Sequence, residues 1–389
     1  MGGSAQQVVA IETAKRLGYY TVLCDYLPDN PGQYHADVFH QVSTTDKEAV
    51  LKVAVNEKID GILAYASDPA APTAAYVAEK LGLPGNPYHT VETFCNKDLF
   101  REFLKTNGFS VPQDKSFGQN DDIIIDGLHF PLIVKPVDSS GSKGVTVIHD
   151  ESELSAAVEY AFSYTRAHRI IIEEFIEKSH PFLVGGDIFV VDGKVRLWGL
   201  LNCHRDNGVN PLVPVGKSYP LDLLPEDEQL AKLTLQQLVS KSGFQTGAMN
   251  VELVIDQNHR CWLIDIGPRN GGNMIPDLLE YIFNINIIEM TIQAAMGEKI
   301  RQDEYCYATH NLHTNRNGIF SNVWFSPEIE QYIIRKNIYK KNGDPVRYFN
   351  NASDAIGIVF MKFPNQNVMH FYIDNINNYI HVDLKQENK

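Results

Sequence analysis

The stretch Asn250-Val-Glu-Leu-Val-Ile255, Asp256-Gln-Asn-His-Arg260, Cys261-Trp-Leu-Ile-Asp-Ile266 decides how this chain is read. Two apolar runs that alternate like half-buried strands flank a polar turn, the pattern of a β-hairpin. An antiparallel register that opposes Asp256 to Cys261 also opposes Glu252 to Asp265 and Asn250 to Gly267, all on one face. Side chains so opposed have Cβ atoms about 5 Å apart, and two carboxylates there repel unless a cation or a proton lies between them. A divalent cation resolves the conflict. Mg²⁺ takes few protein carboxylates and completes its octahedron with water and substrate phosphates, so two acids beside a flexible loop suit a nucleotide-loaded magnesium site. The hairpin runs out into Gly267-Pro-Arg269-Asn-Gly-Gly-Asn273, which sets a guanidinium beside the acids. The competing reading is a surface hairpin whose polar face carries two solvated acids.

The rest of the chain bounds what such a hairpin can serve. Its 389 residues suggest two or three domains, and 44% hydrophobic with 21% charged residues is ordinary globular composition. A net charge of −14 without a dense Lys/Arg run argues against an electrostatic grip on nucleic acid or an anionic membrane, and for a small-molecule partner. The five cysteines are scattered, with no C-x-x-C pair, so neither a disulfide framework nor a zinc site is expected and the compartment is read as reducing. No apolar run approaches the ~18 residues needed to span a bilayer, and a cytoplasmic location is expected.

Residues 1–95 alternate helix-like stretches (6–17, 47–56, 73–81) with short apolar runs (21–24, 61–65), which predicts βαβ units of a Rossmann-like α/β domain. Gly2-Gly3-Ser4 resembles the tight turn after a first strand, yet only Met1 precedes it, so the central strand of a doubly wound sheet is expected to be missing. A second, α+β domain over 96–302 opens with a helix capped by Asn96 and stopped at Gly108. Its strands are expected near 129–135, 144–149, 169–175, 182–191 and 194–202, followed by a helix over 226–240 and the hairpin, with most neighbours antiparallel. Residues 303–389 are read as a small β-rich unit with strands near 319–324, 355–363 and 379–382.

Lys135 ends the apolar run Phe130-Pro-Leu-Ile-Val134, and Lys97 opens the helix before it; two lysines on rigid elements can grip phosphate oxygens as point charges. Asp138-Ser-Ser-Gly-Ser-Lys-Gly144 follows at once, and its small residues can turn backbone N–H groups toward a phosphate. It is not a Walker A loop, and no G-x-G-x-x-G follows a strand. Beyond it, Arg169-Ile-Ile-Ile-Glu-Glu-Phe-Ile176 offers an exposed backbone edge at Glu174 and Ile176 for adenine, Glu173 beside the exocyclic amine, and His180 for ribose. Taken singly these are as well read as surface lysines, a hairpin turn and an amphipathic edge strand.

Taken in order, Lys97, Val134-Lys-Pro136, Ser139-Ser-Gly-Ser-Lys-Gly144, Ile172-Glu-Glu-Phe-Ile176, Val251-Glu252 and Ile264-Asp-Ile-Gly-Pro-Arg269 resemble the ATP-grasp superfamily. With Ile59-Asp-Gly-Ile62 and Leu81-Gly-Leu-Pro-Gly85 in the preceding domain, the resemblance is to the carboxylate–amine ligase branch related to biotin carboxylase and carbamoyl-phosphate synthetase. It implies that Lys97 and Lys135 hold ATP phosphates while Ser139, Ser140, Gly141, Ser142 and Gly144 close over them. It further implies that Glu173, Glu174 and Ile176 cradle adenine, that Glu252 and Asp265 hold Mg²⁺ (with Mn²⁺ as a substitute), and that Arg269 stabilises the transferring phosphoryl group. Two positions depart from the pattern: Asp265 is shorter than the usual Glu, and Gly267 stands where an Asn ligand is frequent. Asn250, facing Gly267, is the expected compensating ligand.

The implied activity is ATP-dependent joining of a carboxylate to an amine or ammonia through an acyl phosphate, in a protein for which a homodimer is compatible. Arg205 and the N–H groups of Gly271, Gly272 and Asn273 are the expected grips on the acceptor carboxylate, within a substrate-choice segment running from Cys203 to Lys217. Carboxyphosphate or carbamoyl chemistry and a non-catalytic nucleotide-binding module are the alternatives; a dehydrogenase lacks its fingerprint.

Overall fold

The computed structural model describes residues 1–206, 210, 212–300, 306–350 and 354–385. Chain contacts divide into two units, Met1–Ile300 and Arg301–Lys389. The boundary expected at 302/303 lies outside the described residues, as do Asn207 and Gly208 of the substrate-choice segment.

The first unit opens with α1 (Val8–Arg16), β1 (Val22–Asp25), β2 (Val38–Gln41), α2 (Lys47–Glu57), α3 (Ala71–Leu81) and α4 (Tyr88–Cys95). Only β1 and β2 form a ladder here, and it is parallel. The apolar run 61–65 does not join it as a strand. Between the two, the Met1 ammonium donates to Leu63 O and the Gly2 N–H to Cys24 O. The expected multi-stranded sheet is thus reduced to one pair, with an apolar cavity of about 290 Å³ beside it, lined by Leu23, Val50 and Ile62 among others.

The chain then forms α5 (Lys97–Thr106), β3 (Asp114–Gly118), β4 (Leu132–Pro136), β5 (Thr146–Ile148), α6 (Leu154–Phe162) and β6 (Arg169–Glu174). Asn96 Oδ1 caps α5 by accepting from Leu99 N at 3.2 Å, and Gly108 ends it with φ +75°. The four strands make an antiparallel sheet ordered β3-β6-β4-β5, and α6 covers one face over Leu132, Val134, Ile170 and Ile172. Next come β7 (Leu183–Val191), β8 (Lys194–Arg205), β9 (Pro214–Ser218), α7 (Pro225–Ser242), β10 (Gly247–Ile255), β11 (Cys261–Gly267), α8 (Ile275–Phe283) and α9 (Ile287–Ala295). Their antiparallel sheet runs β11-β10-β7-β8-β9. Its buried face packs Ile188, Val251, Leu253 and Leu263 against Leu235 and Leu238 of α7 and Phe100 and Leu104 of α5. Burying such side chains is worth about 1.5–3 kcal/mol each, and that burial locks the hairpin's register. Among the described residues no helix is long and apolar enough to cross a membrane.

The second unit holds β12 (Cys306–Leu312), β13 (Gly318–Phe325), α10 (Pro327–Glu330), β14 (Ile333–Ile338), β15 (Pro345–Val346), β16 (Gly357–Phe363), α11 (Gln366–Asp374) and β17 (Ile380–Leu384). Two three-stranded sheets, β12-β16-β14 and β15-β13-β17, enclose a core of their own around Phe320, Val359, Met361 and Phe363.

Candidate functional site

The decisive hairpin has the expected pairing of its acids, reached by a different path. Ile255, not Asp256, pairs with Cys261, so the turn closes one residue out of the expected register. A bulge between Glu252 and Leu253 takes up one extra residue on β11, after which Glu252 opposes Asp265 and Asn250 opposes Gly267. The extra residue, Ile264, has its carbonyl satisfied by Arg101 Nη2 at 2.8 Å.

Arg101, one helical turn beyond Lys97 on α5, links the two sheets. Its Nε lies 2.5 Å from Glu173 Oε1, and Lys135 Nζ pairs with the other oxygen of the same carboxylate. Glu173 is only 1% exposed. Burial alone would raise its pKa, but the charges of Arg101 and Lys135 outweigh that and hold it down to about 2. Glu173, expected beside the adenine amine, shares a face with Lys135, where it balances two buried cations. The Glu174 N–H is likewise committed, donating to Gln113 O at 2.9 Å, and its carboxylate accepts from His129. Ile176 follows, half-buried, just past the end of β6. His180 Nε2 accepts from Ile255 N at 3.0 Å, which fixes the proton on Nδ1, a buried nitrogen that makes no well-formed hydrogen bond among the described residues and lies near the Phe182 backbone.

Lys97 Nζ stands 3.3 and 3.4 Å from the two oxygens of Asp265 and 3.5 Å from Ser139 O, at the base of the glycine-serine loop. Burial works against the Asp265 charge, yet Lys97, Lys135 and Arg101 keep its pKa below the ordinary range. The loop itself is anchored by Asp138, whose carboxylate accepts from Thr165 Oγ1 and the Arg166 and Ala167 N–H groups. Ser139 and Ser140 lead into Gly141, Ser142 and Gly144, all three with positive φ, a geometry that turns successive N–H groups inward. At Gly144 a Cβ would come within 2.7 Å of Pro136 Cγ, so only glycine fits. Ser142 Oγ donates to Leu212 O at 2.8 Å, tying this flap to the substrate-choice segment.

Beyond the acids, Arg269 Nη2 pairs with Asp68, which precedes α3 in the N-terminal region of the same unit. Gly267 makes room for that pair, since a Cβ there would lie 2.6 Å from Asp68 Oδ1 and 2.9 Å from Arg269 Cζ. Asp68 Oδ1 and Arg269 Nε are buried without partners among the described residues. Asp187, 1% exposed on β7, accepts from the Gly271 N–H with both oxygens and from Asn250 Nδ2 at 2.9 Å. Burial pushes its pKa up to about 6 against the opposing pull of these donors and of Arg269. Three of the expected site residues are engaged here. Asn250 faces Gly267, and its amide nitrogen donates to Asp187 and to Gly186 O at 2.9 Å, which braces the 269–273 loop. The Gly271 N–H serves Asp187, and the Asn273 N–H serves Gln6 Oε1 at 2.7 Å, so neither is free for a carboxylate. Gly272 lies between them, close against the turn that leads into α1: a Cβ there would come 3.0 Å from Gln6 Oε1. Arg205 is beside Glu252, with Nη2 at 3.6 Å from Oε1.

Sequence reasoning missed Arg101, Asp68 and Asp187. Asp187 had a signal, a single acid inside the apolar run Leu183–Val191, and Arg101 had another, its helical spacing of four from Lys97. Asp68 reads locally as a residue before a helix.

A divalent ion fits the hairpin. Among the described residues no group of three or more His, Cys, Asp or Glu gathers anywhere, so an ion between Glu252 and Asp265 would take its remaining ligands from phosphate oxygens and water, as magnesium prefers.

Comparison with known proteins agrees with this geometry. The family profile described as "D-ala D-ala ligase C-terminus" matches residues 103–184. The formate-dependent phosphoribosylglycinamide formyltransferase of Prochlorococcus marinus (strain NATL1A) is 30% identical over 301 residues, covering 76% of this chain and 75% of that protein. Among solved structures, L-amino acid ligase from Bacillus licheniformis superposes with a TM-score of 0.62 at 22% identity, covering 97% and 96% of the two chains. N5-carboxyaminoimidazole synthetase from Staphylococcus aureus, solved with ADP, gives 0.63 at 17% identity over 96% and 95%. At 30% identity covering more than two thirds of both chains, this chain belongs to the ATP-grasp superfamily, among its ATP-dependent ligases.

Proposed function

We propose that this ligase phosphorylates a carboxylate with ATP and joins the resulting acyl phosphate to an amine or ammonia, giving an amide, ADP and phosphate. The observation that carries the reading is the direct opposition of Glu252 and Asp265, with Lys97 held on Asp265 and Arg269 just past the end of the hairpin. Lys97 and Lys135 bind the phosphates, and the 139–144 flap turns its N–H groups toward them. Ile176 offers backbone to adenine, and His180 Nδ1 donates to a ribose hydroxyl. Glu252 and Asp265 would hold magnesium, which when bound supplies neutralising charge to the phosphates. Arg269, oriented by Asp68, neutralises the transferring phosphoryl group, consistent with chemistry in which positioning and charge balance dominate. Closing the flap against Leu212 keeps water from the acyl phosphate. The carboxylate substrate meets Arg269 and Arg205.

The test is release of ADP and phosphate across pooled amino acids and small carboxylates, each with and without ammonia, with Glu252→Ala as control. Release that depends on one carboxylate and disappears in the variant is expected. Tight ATP binding with no release from any pool would replace this reading with a nucleotide-binding module.

A further inference from the structure

Each acid of the hairpin has a protein cation beside it: Lys97 on Asp265 and Arg205 on Glu252. The two pairs differ in kind. Lys97 sits within hydrogen-bonding distance of both Asp265 oxygens, whereas Arg205 reaches Glu252 only at 3.6 Å, beyond a good hydrogen bond. The other end of the same guanidinium, Nη1, is buried and has no acceptor among the described residues. A buried, unsatisfied N–H is costly to keep unless something fills it at some stage.

A second loosely held cation stands next to it. Lys217 lies across the β8–β9 ladder from Cys203, and its only acceptor among the described residues is the Cys203 sulfur, at 2.5 Å. A thiol is a weak acceptor, and burial pushes the Cys203 pKa up, so the sulfur stays protonated. Beneath it, Gly185 is the β7 residue paired with Glu252. A Cβ on Gly185 would come 2.6 Å from the sulfur and 3.1 Å from Lys217 Nζ, so the glycine holds open the space in which the ammonium lies. Arg205, Lys217 and Glu252 therefore converge over one strand position, two cations beside one carboxylate.

We propose that Arg205 has two partners in turn: Glu252 in the metal-free protein, and an anionic group of the substrate once a divalent ion has taken Glu252. With Lys217 it then forms an anion subsite that opens only when the metal–nucleotide complex is in place. This rests on the reading of Glu252 as a metal-holding residue. Its consequence is ordered binding: the metal–nucleotide complex first, the anionic substrate second. Charge balance sets that order, because a substrate carboxylate arriving early would meet an Arg205 already neutralised by Glu252 and would lie beside that carboxylate's repelling charge.

The measurement is the affinity for ADP by calorimetry, once with Mn²⁺ and once with EDTA; the ratio of the two reports how strongly metal and nucleotide cooperate. In the wild type, part of the metal's binding energy is spent displacing Arg205. Arg205→Met is expected to raise the ratio about two- to fivefold, the upper range for a partly exposed ion pair, and Arg205→Lys, which keeps the charge, to stay close to the wild type. A ratio unchanged or lowered in Arg205→Met overturns the proposal. Arg205→Gln, which also removes the charge, replaces the methionine variant in the same comparison if that variant does not fold. A wild-type ratio near one, equal to that of Glu252→Gln, would instead overturn the metal-holding reading of Glu252, and the exchange with it.

Discussion

Replacing Glu173 with Gln separates a structural from a nucleotide-binding role for this residue. The carboxylate is fully enclosed and bonded to Arg101 and Lys135, so the variant leaves two buried cations without a counter-charge. Its pKa stands at about 2 in the folded protein against an ordinary 4.5. At 1.36 kcal/mol per unit, the ionised form contributes about 3 kcal/mol, which agrees with the roughly 3–5 kcal/mol lost when one member of a buried pair is removed. The unfolding midpoint should fall by roughly 5–10 °C at pH 7. The pH dependence has a definite sign. A depressed carboxylate pKa gives stability that is complete above about pH 5 and is lost as pH falls from 4.5 toward 2, so the gap between wild type and variant should shrink by about 1 kcal/mol on going from pH 7 to pH 3.5. Urea unfolding at the two pH values reads both effects. A variant with an unmoved midpoint and a tenfold weaker affinity for ADP would refute this reasoning and return Glu173 to the adenine.

Asp187 should behave in the opposite sense. Its raised pKa of about 6 against 3.8 means that its contribution to stability is fully present below about pH 3.8 and is lost as pH rises through 6, so wild type should lose about 2 kcal/mol relative to Asp187→Asn between pH 4 and pH 7, measured by urea unfolding. Gly267→Ala should push Asp68 off Arg269 and slow ATP turnover by roughly ten- to a hundredfold, as loss of a charge-assisted contact does. Asp68→Ala should do the same, and the double variant should lose little more than either alone, because both act on one contact; additive losses would refute the coupling.

Much of the site was legible because it lies on periodic strands. Glu252 and Lys135 occupy positions whose face follows from alternation once the buried residues are known, whereas Asp265 reaches the same face as Glu252 through the bulge at Ile264; Asn96 and Gly108 bracket α5 by ordinary capping chemistry. What alternation cannot give is the partner of a side chain from elsewhere in the chain. Glu173 is read there only as a neighbour of the adenine amine, and its ion-pair company is set by Lys135 and by Arg101 on α5, which no local pattern around Glu173 shows. The same holds for Asp68 and Arg269, and for the Gly271 N–H, whose acceptor lies 84 residues away. In the second unit β12, β14 and α11 were not expected: their half-exposed residues are set by a core assembled from distant strands, and the composition of the segment carries little periodic contrast.

The bulge at Glu252 has a consequence for how this hairpin tolerates change. A strict ladder transmits every insertion or deletion in its turn to the far end, where one residue of slip exchanges the two faces. Here the slip is absorbed midway, and Arg101 receives the carbonyl that the irregularity exposes. The exposed residues 257–260 can therefore vary in sequence, while Val254, Ile255, Asp256, Cys261 and Trp262 stay buried and the spacing of the two acids is inherited from the sheet and from α5. Sequence drift at 257–260 should leave the chemistry alone, and drift at Arg101, far from any reacting atom, should not.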